Sequence, residues 1–389
     1  MSTEGAEGHG DLPHRSPKDK RDRGNAAHDF TPHPVRAARW ALLASSLAAA
    51  LLPAGCATPG PPPAATAAQP PQLAAQQAVM DDGRRLPLRR WGAPDKARAV
   101  VLALHGFNDY GNAFAGVGEH LATKRVLTYA VDQRGFGESQ AAGRWAGEDR
   151  MTDDLRQLAG LLRKRHPDLP LFVIGESMGG AVVLATPAIA ALADGVILIA
   201  PAVWARDTMH PLQRLALAIT AHGLPGLKVS GRGLDIRPSD NVPMLRRFSA
   251  DPLVIKETRV DALWGLTNLM DRAAEAAPGL ARPALLLYGE HDQIIPKGAF
   301  CTMLARLPPA TDEIRLALYA DGWHMLTRDL QGERVIADIA AWISDQRGAL
   351  PSGAQTPLGS ERIKGFCRPS LADPVAPETP GWNLHAGGM

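Results

Sequence analysis

Apolar residues fall along most of this chain in two patterns. Short continuous runs occur at Ala99–Leu104, Val126–Val131, Leu171–Ile174, Val196–Ile199, Ala284–Tyr288 and Ile314–Tyr319. Between them lie stretches with helical spacing: 151–165, a helix that opens at Ser177 and runs to about Leu192 with a kink at Pro187, and a terminal helix containing 336–343. A run that is apolar at every position has no face to offer water, so it predicts a strand covered on both sides. Such strands alternating with helices predict an α/β fold with a mostly parallel, doubly wound sheet, carried by residues 84–201 and 280–348. The alternation stops over 202–279, where Trp204, Met209, Leu212, Leu215, Ile219 and Leu224 recur without a strand between them. That insertion is predicted to be a helical cap, or lid, over the C-terminal edge of the sheet, where ligands of open α/β proteins bind. A helical subdomain that only packs there is a compatible reading.

The ends of the chain differ from this body. Residues 1–34 are polar, charged and without periodicity, which predicts disorder. Arg36 and Arg39 precede an uncharged run, Trp40 to Leu52. The run is shorter than the ~20 residues that span a bilayer and suits the apolar part of an export signal. A start of translation near Val35 would place this run at the beginning of the chain. The run ends in Pro53-Ala54-Gly55-Cys56, which resembles the lipobox of bacterial lipoproteins, with Pro53 where that pattern usually has Leu. The resemblance implies lipidation of Cys56, and so a membrane-anchored protein of the bacterial cell envelope facing the periplasm. An uncleaved or plainly cleaved export signal is the alternative. Residues 57–83 are rich in Ala, Pro and Gln and are predicted to be a linker. Residues 349–389 lack periodicity and are predicted to be a disordered or loosely packed tail.

Composition narrows the chemistry. Forty-two basic against 40 acidic residues give a net charge of +2, with no basic stripe of the kind nucleic-acid binders carry. Three cysteines exclude a disulfide framework, and no ligand spacing suggests a metal. No cofactor is expected. Cys301 and Cys367 could pair in an oxidising compartment, or Cys301 could be a buried apolar residue of a helix.

The chemistry concentrates after the predicted strands. Gly175-Glu176-Ser177-Met178-Gly179-Gly180 lies between a strand and a helix, the context in which G-x-S-x-G forms a nucleophile elbow. A serine hydroxyl needs a base, and in this architecture an acid and then a histidine follow it along the chain. Asp292 follows the strand 284–288 and His324 follows the strand 314–319, so Ser177, Asp292 and His324 can converge at one sheet edge. Two backbone N–H groups must receive the oxyanion. Met178, next after the serine, and Phe107, in the loop after Leu104, are the predicted donors. His105 reads as a residue that shapes this loop rather than as a second base. Asp132 and Arg134 read as braces of the Gly-rich turn 132–139.

Taken together, His105-Gly106, Tyr110-Gly111, Asp132-x-Arg134-Gly135-x-Gly137-x-Ser139, the serine elbow, Gly289-x-x-Asp292 and Gly322-x-His324 resemble the α/β-hydrolase superfamily. Within it they are most similar to the monoacylglycerol lipase and lysophospholipase group, over about residues 84–346. The resemblance implies the Ser177/Asp292/His324 triad, the Phe107 and Met178 donors, and a cap over an acyl tunnel. It implies a serine carboxylic-ester hydrolase that passes through an acyl-enzyme and acts on a lipid or other small ester. Other serine hydrolases, such as a thioesterase or a perhydrolase, share these motifs. A membrane-tethered binding module without catalysis is the remaining reading. Oligomeric state has no signature in the sequence.

Overall fold

The computed structural model describes residues 69–231, 233, 235–281, 283–308 and 313–368. The predicted export segment and Cys56 lie outside the described residues. The six predicted strands are present as β4 (Ala99–Leu104), β5 (Val126–Val131), β6 (Leu171–Glu176), β7 (Gly195–Ile199), β10 (Ala284–Gly289) and β11 (Ile314–Tyr319), and three strands the sequence reading did not name, β1 (Gln72–Leu73), β2 (Gln77–Val79) and β3 (Arg85–Trp91), join them in a single sheet. Their spatial order is β1-β2-β3-β5-β4-β6-β7-β10-β11. From β5 to β11 neighbouring strands are parallel, whereas β1, β2 and β3 form an antiparallel edge.

The period of two in a strand, with both faces covered, explains why β4 is apolar at every position. In β4, Val100, Leu102 and Leu104 enter one core, and Ala99, Val101 and Ala103 enter the other. The first core lies under α2 (Glu148–Arg165), α3 (Met178–Leu184), α6 (Val260–Ala276) and α7 (Lys297–Arg306). The second lies under α1 (Ala115–Thr123) and α8 (Gly332–Ser344). The helix predicted from Ser177 to about Leu192 ends at Leu184, and a 3-10 turn, Pro187–Ala191, follows it. Pro187 cannot continue the helical hydrogen-bond ladder.

Three boundaries differ from the sequence expectation. The folded body begins near Gln72 rather than at residue 84, because β1 pairs with β2 and β2 with β3, and Ala78 and Met80 enter the core. With only Ala78 buried among the three residues of β2, the segment is too short to show a period. The insertion 202–279 holds α4 (Pro211–Gly223), α5 (Val242–Ala250), α6 and a two-stranded sheet of β8 (Lys228–Val229) and β9 (Thr258–Arg259). It is not wholly a cap. Leu269, Met270 and Ala273 of α6 belong to the first core of the body.

The third difference is the tail. Residues 349–368 are folded rather than disordered. Leu318 N–H donates to the Ala354 carbonyl (3.1 Å) and Thr356 N–H to the Leu316 carbonyl (2.8 Å), so the tail covers the outer edge of β11. A short helix, α9 (Glu361–Phe366), follows, and Cys367 is disulfide-bonded to Cys301 of α7 with Cα atoms 5.6 Å apart. Backbone pairing to an edge strand makes few demands on side chains, which is why the sequence pattern is silent here.

The bond closes a loop across a sequence separation of 66, for which the chain-entropy estimate is about 4 kcal/mol. Cys301→Ser with Cys367→Ser is expected to lower the thermal unfolding midpoint by several degrees under non-reducing conditions. A midpoint unchanged both by the double substitution and by reductant would show that the bond does not hold the tail.

Candidate active site

Ser177 sits at the junction of β6 and α3 with φ 52° and ψ −114°. A non-glycine residue with positive φ is strained and persists only where its surroundings force it. The surroundings here are backbone. Ser177 N–H donates to the Ile199 carbonyl (2.9 Å), and its own carbonyl accepts from Ala181 and Ala202 N–H. The elbow glycines are steric necessities. A Cβ on Gly179 would lie 2.1 Å from the Leu104 carbonyl oxygen, and one on Gly175 would lie 2.5 Å from the Gly179 carbonyl carbon.

The other two predicted residues meet. His324 Nδ1 and Asp292 Oδ2 are 2.8 Å apart, and the Asp292 side chain has no exposed surface. Asp292 Oδ1 accepts from Ile294 N–H (2.8 Å) and Ile295 N–H (2.9 Å), so the carboxylate cannot turn. The loops bearing acid and histidine cross at two glycines. A Cβ on Gly289 would lie 2.4 Å from the Gly322 carbonyl carbon. This is a physical reason for both the Gly289-x-x-Asp292 and the Gly322-x-His324 spacings. The bond to a carboxylate places the imidazole proton on Nδ1. Nε2 has no hydrogen-bond partner among the described residues. Burial works against a charged imidazole, but the negative charge around it, Asp292 foremost, holds His324 above the ordinary histidine range.

The two predicted oxyanion donors are the residue after Ser177 and the residue after Gly106, whose backbone approaches Ser177. At the start of α3, Gly179 N–H is taken by the His105 carbonyl (3.1 Å). Met178 N–H, one of the unpaired donors that open any helix, makes no hydrogen bond among the described residues, and neither does Phe107 N–H. Gly106 passes close to Ser177, since a Cβ there would lie 3.3 Å from the Ser177 Cβ and 3.9 Å from its Oγ. His105 is fully buried, and both of its ring nitrogens are engaged: Nδ1–H donates to the Gly106 carbonyl (2.8 Å) and Nε2 accepts from Gln133 N–H (3.0 Å). Burial pushes its affinity for a second proton down. It shapes the loop and has no lone pair to act as a base. Asp132 accepts from Gly111 and Glu138 N–H and pairs with Arg89, while Arg134 pairs with Asp154 and Asp82.

The sequence reading missed a buried ion cluster beneath these loops. Arg328 donates to Asp109 Oδ2 (2.7 Å) and to Glu176 Oε1 (3.0 Å). The three residues come from the loop after β4, the residue before Ser177, and the chain just past His324. The cap is tied to the same loops. Asn108, at φ 65°, donates through its side chain to Thr258 and accepts from Ile255 N–H. Tyr110 hydroxyl donates to Asp251 (2.6 Å), and Asn241 donates to the Arg328 carbonyl (2.9 Å).

Known proteins share this architecture. The chain is 27% identical over 267 residues to a monoacylglycerol lipase of Mycolicibacterium smegmatis, covering 67% of this chain and 93% of that one. It is 28% identical over 274 residues to a rat monoglyceride lipase, covering 68% and 89%. A crystal structure of a soluble variant of the Saccharomyces cerevisiae monoglyceride lipase shares the fold with a TM-score of 0.60, at 20% identity, over 75% of this chain and all of that one. Residues 95–331, more than half of the chain, match the family described as serine aminopeptidase, S33, and the chain belongs to that family of α/β-hydrolases.

Proposed function

We propose that this protein hydrolyses carboxylic esters of a single acyl chain, monoacylglycerols or lysophospholipids foremost, with Ser177 as nucleophile, His324 as base and then acid, and Asp292 as its orienting partner. The observation that carries the reading is the Asp292–His324 pair with Nε2 unengaged, at the same sheet edge as a strained serine whose neighbouring Met178 N–H is unbonded.

In this reading His324 Nε2 takes the Ser177 proton as Oγ attacks the ester carbonyl carbon. The carbonyl oxygen becomes an oxyanion facing the Phe107 and Met178 N–H groups. The C–O bond to the alcohol then breaks, and the imidazolium returns its proton to that leaving oxygen. Water repeats the sequence on the acyl-enzyme, releasing the fatty acid and restoring Ser177. Two features support an acyl substrate. Relatives aligned over about two thirds of the chain carry the names monoacylglycerol lipase and monoglyceride lipase. The cap helix α4 also leaves Leu212, Leu215 and Ile219 more than half exposed, at the i, i+3, i+7 spacing of one helical face.

The full chain treated with a fluorophosphonate should be labelled at Ser177. It should prefer long-chain monoacyl esters in a panel that also holds short aryl esters, thioesters and an amino-acid arylamide. Preference for the thioester or the arylamide would replace the lipase reading with another serine hydrolase, and no labelling of folded protein would remove catalysis altogether.

We further propose that Cys56 is lipidated and tethers the body to the bacterial cell envelope on its periplasmic side. The sequence 36–56 supports this, and so does the Cys301–Cys367 disulfide, a bond that persists in oxidising compartments. No helix among the described residues is long and apolar enough to cross a membrane. Metabolic labelling with a palmitate analogue is expected to mark the wild type and not Cys56→Ser. Equal labelling of the two would remove the anchor.

A further inference from the structure

Buried ion clusters are poor sources of stability, because desolvation consumes most of the Coulombic gain. The one formed by Asp109, Arg328 and Glu176 is also unbalanced, with two carboxylates sharing one guanidinium. Glu176 is 1% exposed, Asp109 is 3% exposed, and the Arg328 side chain is largely buried. The contacts are incomplete. Glu176 Oε2 and Arg328 Nε have no hydrogen-bond partner among the described residues. Neither carboxylate receives both prongs of the guanidinium, the stronger geometry for such a pair. The excess negative charge is also next in the chain to Ser177, and Arg328, which holds it, follows His324 by four residues.

We propose that Glu176, the residue immediately before the nucleophile, is a positioning residue whose carboxylate favours the imidazolium that His324 becomes as Ser177 loses its proton, and that Arg328 sets the strength of this field while holding the three loops together. The inference rests on the reading of His324 as the base. Glu176 acts through His324 and needs no contact with substrate.

The charges around His324 can be named by element. Asp292, from the loop after β10, bonds Nδ1. Glu176 ends β6, and Arg328 follows His324. Asp109, in the loop after β4, reaches the site through Arg328. Asp329 is held by the Ser239 hydroxyl and Trp323 N–H, and Asp240 of the cap lies near it. His291 and Arg237 both stack on Trp323. Against burial, Asp292 gives the main push toward a protonated His324, Glu176 adds to it, and Arg328 opposes it. Opposite signs from two residues in contact give the inference a signature that a structural role lacks.

The test is the titration of His324 in the full-length protein. It is followed by NMR of labelled histidine rings, assigned with His324→Asn, and by the acid limb of kcat/KM for an aryl ester. Glu176→Gln keeps an oxygen to accept from Arg328 and removes the charge. Both readouts are expected to move to lower pH by on the order of one unit, with kcat reduced about tenfold and KM within twofold. Arg328→Gln is expected to move both to higher pH. If that variant unfolds because it strands two buried carboxylates, Glu176→Gln decides alone.

A structural role predicts lower thermal stability and lower activity with the titration in place. An unmoved His324 titration in folded Glu176→Gln, or a move to higher pH, overturns the inference. The NMR readout needs no substrate. Shifted titrations in a protein without esterase activity would sink the ester reading and leave this one standing, and the reverse result would do the opposite.

Discussion

Ser177→Ala is expected to lower kcat for ester hydrolysis by on the order of 10⁴- to 10⁶-fold and to abolish fluorophosphonate labelling, while the protein stays folded. The size of the effect follows from chemistry. Without the hydroxyl there is no acyl-enzyme, and only the N–H groups of Phe107 and Met178 remain to favour attack by water. The fold should survive because the elbow is held by the Ser177 backbone through Ile199, Ala181 and Ala202. The hydroxyl itself makes no hydrogen bond among the described residues. Alanine at φ 52° is strained no more than serine, since both carry a Cβ. The measurements are steady-state hydrolysis, probe labelling and the thermal midpoint. A variant that is folded and keeps more than about 1% of the activity would remove Ser177 from the mechanism.

Asp292→Asn is the second large effect, with an expected fall in kcat of about 10⁴-fold. Asparagine can keep its oxygen on the N–H groups of Ile294 and Ile295, so the loop should hold. Its amide then presents N–H to His324 Nδ1, the opposite of what the carboxylate presents. The imidazole answers by moving its own proton to Nε2, and the base loses the lone pair that faces the serine.

The pH dependence carries a sign. In the proposed mechanism His324 works as a base only when neutral, and the negative charge around it, Asp292 foremost, holds its affinity for protons above the ordinary value of about 6.5. Wild-type kcat/KM should therefore fall as pH drops through a value above that figure. Removing the Asp292 charge should carry the residual acid limb to lower pH. A limb that stays in place would mean that a group other than His324 titrates in the assay.

These substitutions also separate what holds the site from what does its chemistry. Ser177 is placed by backbone hydrogen bonds and the loops of Asp292 and His324 by a glycine crossing, which Ser177→Ala and Asp292→Asn leave intact. The Asp109–Arg328–Glu176 cluster is different, because its atoms are the connection between loops. Its disruption should cost stability as well as rate, and for that reason its test is a titration.

The sequence by itself determined the parallel part of the sheet and the three residues proposed to react. Strands such as β4 and β10 are apolar at every position because both faces are covered, and that condition leaves a local mark. Ser177, Asp292 and His324 are legible for a related reason. Each stands just past the end of a strand, next to glycines that the backbone crossings require. Tertiary structure alone decided the rest. Arg328 meets Asp109 across 219 positions and Glu176 across 152, and nothing near any of the three announces the meeting. The Cys301–Cys367 bond, the docking of 349–368 on β11 and the membership of α6 in the main core are likewise pairings between distant segments. Hydrophobic periodicity reports which face of an element is buried. It carries no information about which partner buries it, and a lone charged or sulfur-bearing side chain has no period at all.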